Sequence, residues 1–311
     1  MSNQTMENFV SAVIYVHNHQ KCIKKFLEEI YQVLDKSFKN FEIICVDDGS
    51  VDNSACIIKE LAMNFNNTVV SLISMGKENG IETSMKAGID ASIGDFVFEF
   101  EKPYENFELS LLIDVFNKSL LGYDIVNCKN TSNEKFASRL FYFLFNHFSN
   151  IKNSISTEAF RVVSRRAINR IDSMNTNSFF RKALYANCGL QEFDFSYKGE
   201  KTHIKEKSFS ESRITTACDA MLLFTKIGYK ISLTLTLFMI LFSVSVLIFT
   251  LIVYFNGQTI EGWTPIMLFM SFSFLGFFLI FTIIIKYMDL LINLNHKKRE
   301  YTIESIEKIT K

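Results

Sequence analysis

The fold of this chain is decided by the stretch FEIICVDDGSVDNS, residues 41–54. A short apolar run ends in two adjacent acids, Asp47 and Asp48, which open into a Gly-Ser turn, and this pattern is typical of a strand that leaves a sheet. Asn53 or Ser54 can then cap a following helix. Two acids at a strand end are suited to hold the ribose or base of a nucleotide, although a turn followed by a helix cap explains the same residues.

The same alternation of strand and helix extends along the chain. Apolar runs rich in β-branched residues predict strands at 10–16, 41–46, 69–75, 95–101 and 123–128. Apolar residues at helical spacing predict helices at 21–36, 54–65, 80–92 and 106–121. Such repeated units predict an α/β fold with a mostly parallel sheet flanked by helices. Ligands bind at the carboxyl ends of the strands in such sheets, which here are 15–18, 47–50, 77–80 and the residues from Glu101 onward.

The composition excludes some classes of partner. Lys and Arg total 33 and Asp and Glu total 33, so the chain has no basic surplus and we expect no nucleic-acid partner. The six cysteines form no Cys-x-x-Cys pair, which predicts reduced thiols in a cytosolic domain. The first residues show no basic segment followed by an apolar run, so we expect no cleavable signal peptide.

Two long apolar stretches near the C-terminus predict a membrane anchor. Residues 231–255 and 265–285 carry no charged side chain. A helix of the first length spans about 37 Å, more than the ~30 Å hydrocarbon core of a bilayer. Lys226, Lys230 and Lys286 flank the stretches, whereas the connecting loop has no Lys or Arg. The positive-inside rule therefore puts the N-terminal domain and the C-terminal tail in the cytoplasm.

These features divide the chain into three parts. We predict a soluble α/β domain at 1–225, a two-helix transmembrane anchor at 226–288 and a cytoplasmic tail at 289–311. From residue 286 onward the chain is charged and helical in pattern, and we expect a helix near the membrane surface. The Phe-rich segment 129–153 predicts either a membrane-facing helix or a core helix of the soluble domain.

Several motifs, in this order, resemble family-2 glycosyltransferases of the GT-A fold. The later motifs resemble one branch, the membrane-anchored polyprenyl-phosphate glycosyltransferases, which include the bactoprenol glucosyltransferases and dolichol-phosphate mannose synthase. The resembling stretches are VSAVIYVHN (10–18), FEIICVDDGSVDNS (41–54), NGIETSMKAGIDASIGDFV (79–97), ISTEAFRVVSRRAINRI (155–171), FFRKALYANCGL (179–190) and IEGWTP (260–265). No single motif suffices, but their order makes the resemblance specific.

The resemblance implies a reaction and a location. Such enzymes move a sugar from a UDP- or GDP-sugar to the phosphate of a membrane polyprenol, for cell-envelope glycan synthesis or modification. The implied partners are a nucleotide-sugar donor, a polyprenyl-phosphate acceptor, the inner (cytoplasmic) membrane and further copies of the chain in a homo-oligomer. The polar stretch 198–213 matches the position of a mobile acceptor loop in that family.

The resemblance also assigns candidate site residues. It gives Asn18, Asp47 and Asp48 as candidate nucleotide-binding residues, and the carboxyl ends of the predicted strands add Tyr15 and Lys77. Arg161 and Arg165 match arginines that suit a diphosphate or a lipid phosphate, and Glu101 and Arg161 are the candidate catalytic residues. We expect the acids after Cys45 and these two arginines to converge on one phosphate-accepting cleft. For Arg161, a salt bridge on an amphipathic helix is the alternative.

The sequence departs from the family pattern where the chemistry takes place. The second acid of the family's Asp-x-Asp, a metal ligand, falls on Pro103. The acid before Phe-Arg, a proposed base in the family, falls on Ala159, and Ile81 stands at the lysine of the third-helix motif. Loss of the base is the smaller change, because a phosphate monoester with a second pKa of about 6 is mostly dianionic at neutral pH.

Substitutes for the missing metal ligand lie nearby. Glu99 and Glu101 are two residues apart, hence on one face of a strand, and could hold Mg²⁺ or Mn²⁺ through oxygen ligands. Alternatively, Lys102 could act as a point charge beside the diphosphate. Such a charge matters because the leaving diphosphate develops negative charge that must be stabilised.

Two interpretations fit the motifs. The first is a glycosyltransferase with an unusual site, and this is our interpretation from fold and ancestry. The alternative is a catalytically impaired pseudoglycosyltransferase that acts as a membrane-bound partner or as a nucleotide- or lipid-binding scaffold. A generic α/β binding domain on a two-helix anchor does not explain the order of the motifs.

Overall fold

The computed structural model describes residues 5–66, 68–103, 107–131, 136–148, 155–174, 180–198, 227–256, 262–294, 301 and 303–309. The chain divides into two compact units. One unit comprises Met1–Cys218 together with Lys297–Lys311, and the other comprises Asp219–His296. The last strand of the chain therefore belongs to the first unit, although it follows the second unit in sequence.

Strands and helices alternate through the first unit, as the sequence predicts. The strands are β1 (Met6–Val16), β2 (Phe38–Asp47), β3 (Val69–Met75), β4 (Phe96–Phe100), β5 (Ile125–Asn130), β6 (Phe160–Ser164), β7 (Glu192–Tyr197) and β8 (Ile303–Ile309). The helices are α1 (Ile23–Ser37), α2 (Ser54–Ala62), α3 (Ile81–Ala91), α4 (Ser110–Ser119), α5 (Phe136–Phe148), α6 (Arg165–Ser173) and α7 (Arg181–Asn187).

These strands form one sheet in the order β7-β5-β6-β4-β1-β2-β3-β8. Strand β1 pairs in parallel with β2 and β4, β2 with β3, and β5 with β7. Strand β6 is antiparallel to β4 and β5, and β8 is antiparallel to β3. The predicted mostly parallel sheet is confirmed. Because β6 runs opposite to β4, its amino end lies at the same sheet edge as the carboxyl ends of β1 to β4.

Phenylalanine fills the core on one face of the sheet. Phe98 and Phe100 of β4 are fully buried, and Phe100 contacts Phe26 of α1 edge-on, with ring centroids 5.5 Å apart. Phe38 meets Phe116 of α4 in the same way at 4.9 Å. Since side chains alternate along a strand, burying Phe98 and Phe100 on this face turns Glu99 to the other face.

The C-terminal strand β8 corrects the predicted tail. In the described part of the tail, helix extends to Leu294 and Ile303–Ile309 forms a strand that pairs with β3. The isoleucines of β8 recur every third residue, a spacing that fits a helix, but pairing satisfies the backbone groups that β3 would otherwise expose at the sheet edge. Lys59 on α2 and Glu307 form an ion pair at 2.7 Å that supports this placement.

The second unit contains α8 (Ile227–Phe255) and α9 (Trp263–Leu294), which pack against each other. Leu233–Phe255 and Trp263–Met288 within them are long and apolar enough to cross a membrane. Most of their large apolar side chains are exposed, as on a lipid-facing surface and unlike a core helix pair of a soluble protein. The predicted pair of apolar C-terminal helices is confirmed.

Small polar residues line one face of each of these helices. The buried ones recur at seven-residue spacing, which keeps them on one side of a helix. They are Thr236, Ser243 and Thr250 in α8, and Thr264 and Ser271 in α9. Small side chains of this kind allow close approach of helix backbones in a bilayer.

Gly88 tests the packing of α3 on the sheet. A Cβ at this position would lie 2.5 Å from Val13 Cγ1 and 2.6 Å from Val46 Cγ2, in the buried interface with β1 and β2. We expect Gly88→Ala to lower the free energy of unfolding by about 1–3 kcal/mol through overpacking, measured as a lower Tm of the detergent-solubilised protein. Gly276→Ala is the matched control, because a Cβ there meets no described atom within 4 Å. Equal Tm values for the two variants would contradict this packing.

Candidate functional site

Asp48 organises the sheet edge at the ends of β1 and β2. Its carboxylate is fully buried and accepts hydrogen bonds from the backbone N–H groups of Asn79 and Gly80, both at 2.8 Å, and from the Tyr15 hydroxyl at 3.0 Å. One acid therefore ties β1 and β2 to the loop that precedes α3. A buried carboxylate with several donors is stable because its lost hydration is replaced.

Asn18 links the loop after β1 to the Gly-Ser turn after β2. Its φ of 54° lies in the left-handed region, which asparagine tolerates better than most residues. Its Oδ1 accepts from the backbone N–H of Val51 at 2.9 Å, and its own N–H donates to Ser50 Oγ at 2.9 Å. Asp47 accepts from the Ser50 N–H at 3.2 Å. These contacts hold the two loops together.

The residues between β3 and α3 pack against the Gly-Ser turn that follows β2. Gly49 has a φ of 68°, and a Cβ there would lie 3.3 Å from the backbone nitrogen of Glu78. Lys77 is exposed, and its carbonyl accepts from the Asn79 side chain at 2.6 Å. The five candidate nucleotide-binding residues thus lie at the carboxyl ends of β1 and β2 or in the loops after β1, β2 and β3. Their role in nucleotide binding stays a prediction.

The start of α2 differs from the predicted helix cap. Asn53 occupies the N-cap position, but its side chain makes no capping hydrogen bond. Ser54 is instead buried, where its Oγ accepts from the His19 N–H at 2.9 Å. Asp52 accepts from the Ser54 backbone N–H at 3.0 Å. Ser54 therefore joins α2 to the loop after β1.

A second group of polar side chains lies at the end of β4, and we name it the carboxylate–cation cluster. Its members are Glu82, Glu99, Glu101, Glu158, Arg161, Arg181, Lys182 and Tyr185. Glu99 of β4 and Arg161 of β6 are paired in the sheet register. Arg181, Lys182 and Tyr185 come from α7, and Glu82 comes from α3.

Arg161 is buried and surrounded by carboxylates. Its guanidinium lies 2.5 Å from Glu158 Oε2, 3.7 Å from Glu101 Oε1 and 3.9 Å from Glu99 Oε2. It also lies over the Tyr185 ring, 4.9 Å from the centroid. The alternative of a salt bridge on an amphipathic helix is wrong in its detail, because Arg161 sits on strand β6 within a buried network.

Arg181 is the central cation of the cluster. It donates to the carbonyls of Ile81 at 3.3 Å and Glu82 at 3.1 Å, and to Glu101 Oε1 at 3.1 Å. Its Nε lies 3.5 Å from Glu99 Oε2. This guanidinium therefore joins the start of α3 to the end of β4, close to the position where Ile81 stands for the family lysine.

Sequence reasoning missed most of this cluster. Glu82, Arg181, Lys182 and Tyr185 lie inside motifs that carried the family resemblance, yet none was given a role. A charged pair in a segment with an otherwise apolar pattern, such as Arg181-Lys182 between Phe180 and Ala183, is the signal that could have indicated buried charge.

The cations of the cluster keep Glu101 ionised. Burial would raise the pKa of Glu101, but the positive charges of Lys182 and Arg181 in particular outweigh it and lower the pKa to about 2. Burial would lower the pKa of Lys182, yet the Glu101 carboxylate raises it above its ordinary value. Burial raises the pKa of Tyr185 and the Glu99 carboxylate raises it further, so the phenol stays protonated and donates to Glu99.

Arg165 lies away from the cluster, and the predicted convergence is wrong for it. Its guanidinium donates to the Gly94 carbonyl at 2.8 and 2.9 Å and to Ser92 Oγ at 3.0 Å, at the amino end of β4. Glu99 is five residues after Gly94, which corresponds to about 17 Å along an extended chain. Arg161 lies near the amino end of β6 and Arg165 directly follows its carboxyl end, so the two arginines reach opposite edges of the sheet.

The side chains at the end of β4 do not fit a divalent cation. The carboxylates of Glu99 and Glu101 face guanidinium and ammonium groups, whereas Mg²⁺ and Mn²⁺ need oxygen ligands at close range. Pro103 offers no side-chain oxygen. In the part of the chain that the structure describes, no group of three or more His, Cys, Asp or Glu side chains is arranged for a metal. His17 and His19 hold the loop after β1, where His17 Nδ1 lies 2.7 Å from the Asp48 carbonyl.

The remaining predicted segments are partly described. In α5, Phe145 is buried and packs edge-on against Phe180, with ring centroids 5.7 Å apart, whereas Phe143 is exposed. The helix therefore contributes one face to the core, and a membrane-facing role for the other face stays a prediction. The predicted acceptor loop 198–213 lies outside the described residues, apart from Lys198.

The sheet and its loops define the class of protein. A mostly parallel sheet flanked by helices, with loops and acids gathered at the carboxyl ends of β1 to β4, is a GT-A-like glycosyltransferase fold, here followed by two apolar helices. Residues 11–172, just over half of the chain, match the family described as glycosyl transferase family 2. The chain belongs to this family.

Similar proteins include sugar transferases of polyprenyl phosphates. The undecaprenyl-phosphate 4-deoxy-4-formamido-L-arabinose transferase of Edwardsiella ictaluri is 32% identical over 128 residues, which cover 40% of this chain and 38% of that protein. The prophage bactoprenol glucosyl transferase homolog of Escherichia coli K12 is 25% identical over 203 residues, covering 63% of this chain and 62% of that protein. The chain thus matches less than two thirds of the length of each.

A solved structure supports the fold. Mannosyl-3-phosphoglycerate synthase from Rubrobacter xylanophilus matches with a TM-score of 0.50 at 16% identity, and the match covers 69% of this chain and 73% of that chain. The predicted GT-A-like architecture is confirmed.

Glu101 offers a test of the cluster electrostatics. Its pKa of about 2 lies below the ordinary 4.5, so its stabilising effect is fully present above pH 4.5 and is lost as the pH falls toward 2. We expect Glu101→Gln to lower the free energy of unfolding at pH 7 by about 3 kcal/mol, because it removes the carboxylate that faces the buried Lys182 ammonium and one of those around Arg161 and Arg181. More than half of this difference from wild type should be lost by pH 3.

The measurement is denaturant unfolding of the solubilised protein from pH 7 to pH 3. Asp114→Asn on the exposed face of α4 is the control and should follow wild type throughout. A difference between Glu101→Gln and wild type that stays constant with pH would show that Glu101 is not held ionised by its neighbours.

Proposed function

We propose that this chain is a membrane-anchored glycosyltransferase that moves a sugar from a UDP- or GDP-sugar onto a membrane polyprenyl phosphate. The single observation that carries the proposal is a glycosyl transferase family 2 domain in the same chain as two helices of membrane-spanning length. The names of the two relatives, a bactoprenol glucosyl transferase homolog and an undecaprenyl-phosphate sugar transferase, support the acceptor class.

The donor nucleotide binds in the loops that Asp48 organises. Asp47 ends β2 and Asp48 follows it, Tyr15 lies at the carboxyl end of β1, and Asn18 and Lys77 lie in the loops after β1 and β3. The carboxylate oxygens of Asp48 accept hydrogen bonds from backbone N–H groups and the Tyr15 hydroxyl, so the role of Asp48 is to fix the shape of these loops. The exposed Lys77 ammonium is available for the phosphates of the donor.

The transfer needs little proton chemistry. An oxygen of the acceptor phosphate forms a bond to the anomeric carbon of the sugar, while the bond from that carbon to the diphosphate oxygen breaks and its electron pair leaves with the diphosphate. The acceptor phosphate is mostly dianionic at neutral pH, so Ala159 at the position of the family base is tolerated. Arg161 and the cations of α7 supply positive charge for the leaving diphosphate.

The membrane location follows from the acceptor. Lys230 precedes the first span, and Lys286 lies near the end of the second. By the positive-inside rule, the catalytic domain then lies on the cytoplasmic face of the inner membrane. Assembly of several copies in that membrane is part of the proposal by family analogy alone.

A pseudoglycosyltransferase is the second candidate function. The observation in its favour is that Arg161 and Arg181, the cations nearest the end of β4, are already paired with carboxylates. In that case the chain would bind nucleotide or lipid without forming product.

A transfer assay separates the two functions. Membranes that contain the full-length chain are incubated with labelled UDP- or GDP-sugars and undecaprenyl phosphate, and lipid-linked label is measured. We expect labelled lipid from wild type. Asp48→Ala should reduce the yield at least about tenfold, because the N–H groups of Asn79 and Gly80 lose their buried acceptor and the loop shifts.

Asp114→Ala, an exposed acid on α4, is the matched control and should retain wild-type yield. Nucleotide binding without labelled lipid would favour the pseudoglycosyltransferase. Wild-type yield in Asp48→Ala would contradict the placement of the donor in the loops around Asp48.

A further inference from the structure

Lysine and arginine side chains supply the positive charge at the end of β4, where a bound metal ion would otherwise supply it. Lys182 and Arg181 of α7 and Arg161 of β6 all lie within 4.0 Å of a Glu101 oxygen, and Lys102 adds its charge beside the same carboxylate. The cluster contains three cations, and Lys102 beside it is a fourth. They face four carboxylates, which are Glu82, Glu99, Glu101 and Glu158.

This arrangement is neutral without a divalent ion. A dication placed among these carboxylates would add two positive charges next to buried guanidinium groups, at a desolvation and repulsion cost. A metal site needs carboxylates whose charge is available, and the oxygens of Glu99 and Glu101 already face Arg161, Arg181 and Lys182.

Lys182 is the cation of the cluster that is held least tightly by acids. Its Nζ lies 4.0 Å from Glu101 Oε2, compared with 2.5 Å between Arg161 and Glu158. The Lys182 ammonium also lies 5.9 Å from the centroid of the Tyr142 ring. Its partner Glu101 has the most exposed carboxylate side chain of the four, at 24%. The Lys182 side chain is buried at 7% exposed, against 3% for Arg161 and Arg181, so the cluster comes nearest to solvent where Lys182 meets Glu101.

Arg181 determines where Lys182 lies. It is hydrogen-bonded to the carbonyls of Ile81 and Glu82 and to Glu101, and its backbone N–H donates to Glu82 Oε2 at 3.0 Å. Because the two residues are consecutive at the start of α7, locking Arg181 fixes the backbone from which Lys182 extends. Arg181 is thus a positioning residue.

We propose that Lys182, positioned by Arg181, binds the diphosphate of the nucleotide donor in place of a divalent cation, so that this chain binds nucleoside diphosphates without metal. The inference rests on the proposed function. Lys182 exchanges its long contact with Glu101 for the diphosphate oxygens. During transfer, the electron pair of the breaking bond moves onto the diphosphate oxygen, and the charge that develops there is stabilised by the Lys182 ammonium.

The test is nucleotide binding with and without metal. UDP and GDP are titrated by calorimetry into the full-length, detergent-solubilised chain, in excess EDTA and in excess Mn²⁺. We expect one of the two nucleotides to bind with the same affinity in both conditions. Lys182→Met should weaken binding about tenfold or more in EDTA, as expected for loss of a charge-assisted contact, and Lys182→Arg should retain most of it.

Lys36→Met is the matched control. Lys36 is exposed in the last turn of α1, at the amino end of β2 and so at the opposite sheet edge, and its loss should leave binding unchanged. Thermal unfolding of each variant identifies a folding defect. If Lys182→Met does not fold, the affinity of wild type in EDTA against Mn²⁺ still decides the question.

The outcomes separate this inference from the function on which it rests. Binding that is lost in EDTA and restored by Mn²⁺ overturns the inference and leaves the transferase proposal standing. Wild-type affinity of folded Lys182→Met in EDTA also overturns it. Absence of UDP and GDP binding in every condition overturns both the inference and the proposed donor class.

Discussion

Burial of the Glu99 carboxylate is the constraint on which this structure depends. Strand β4 uses Phe98 and Phe100 for the core on one face, so Glu99 turns to the other face and is almost completely buried there. A buried carboxylate is tolerated only with donors and opposite charge around it. The Tyr185 hydroxyl and the guanidinium groups of Arg161 and Arg181 supply them. The antiparallel strand β6 and helix α7 are therefore tied to the end of β4 by the chemistry of a single residue.

The two halves of the carboxyl edge satisfy their buried acids in different ways. At the ends of β1 and β2, Asp48 is satisfied by backbone N–H groups and a tyrosine hydroxyl, which shapes loops and leaves the exposed Lys77 free to meet a ligand. At the end of β4, the acids are satisfied by cations, which creates a charged cluster. Under the proposed function, the first half holds the nucleoside by shape. Under the same proposal, the second half stabilises charge on phosphates.

Local sequence pattern predicted the parts of the fold that depend on local contacts. The strands and helices from β1 to β5 follow from their apolar period, and the apolar C-terminal helices follow from length and lack of charge. Strand β8 could not be predicted in this way, because its isoleucine spacing fits a helix and only pairing with β3, more than two hundred residues earlier, makes it a strand. Arg165 was misplaced for a related reason: the direction of β6, which sets the edge that each arginine reaches, is a property of the sheet.

The site was predictable only where the family motif and the geometry agree. Asp47, Asp48, Tyr15 and Asn18 could be placed at one edge because parallel strands end together. Arg181 could not, because helix α7 has no fixed position relative to β4 in a repeating strand–helix pattern. Its contacts with the Ile81 carbonyl and with Glu101 exist only once α3, β4 and α7 are assembled.

The electrostatics of Glu101 restrict the chemistry that this edge can perform. A carboxylate with a pKa of about 2 is a weak base, and a general base works best with a pKa near the working pH. Glu101 therefore acts on its surroundings through its negative charge, which faces Lys182 and Arg181. A phosphate acceptor, which is already anionic, is the kind of nucleophile that such an edge can use. An alcohol acceptor would need a proton removed, and Ala159 offers no group for that task. The substitution at 159 and the low basicity of Glu101 thus both favour an acceptor that arrives without a proton to lose.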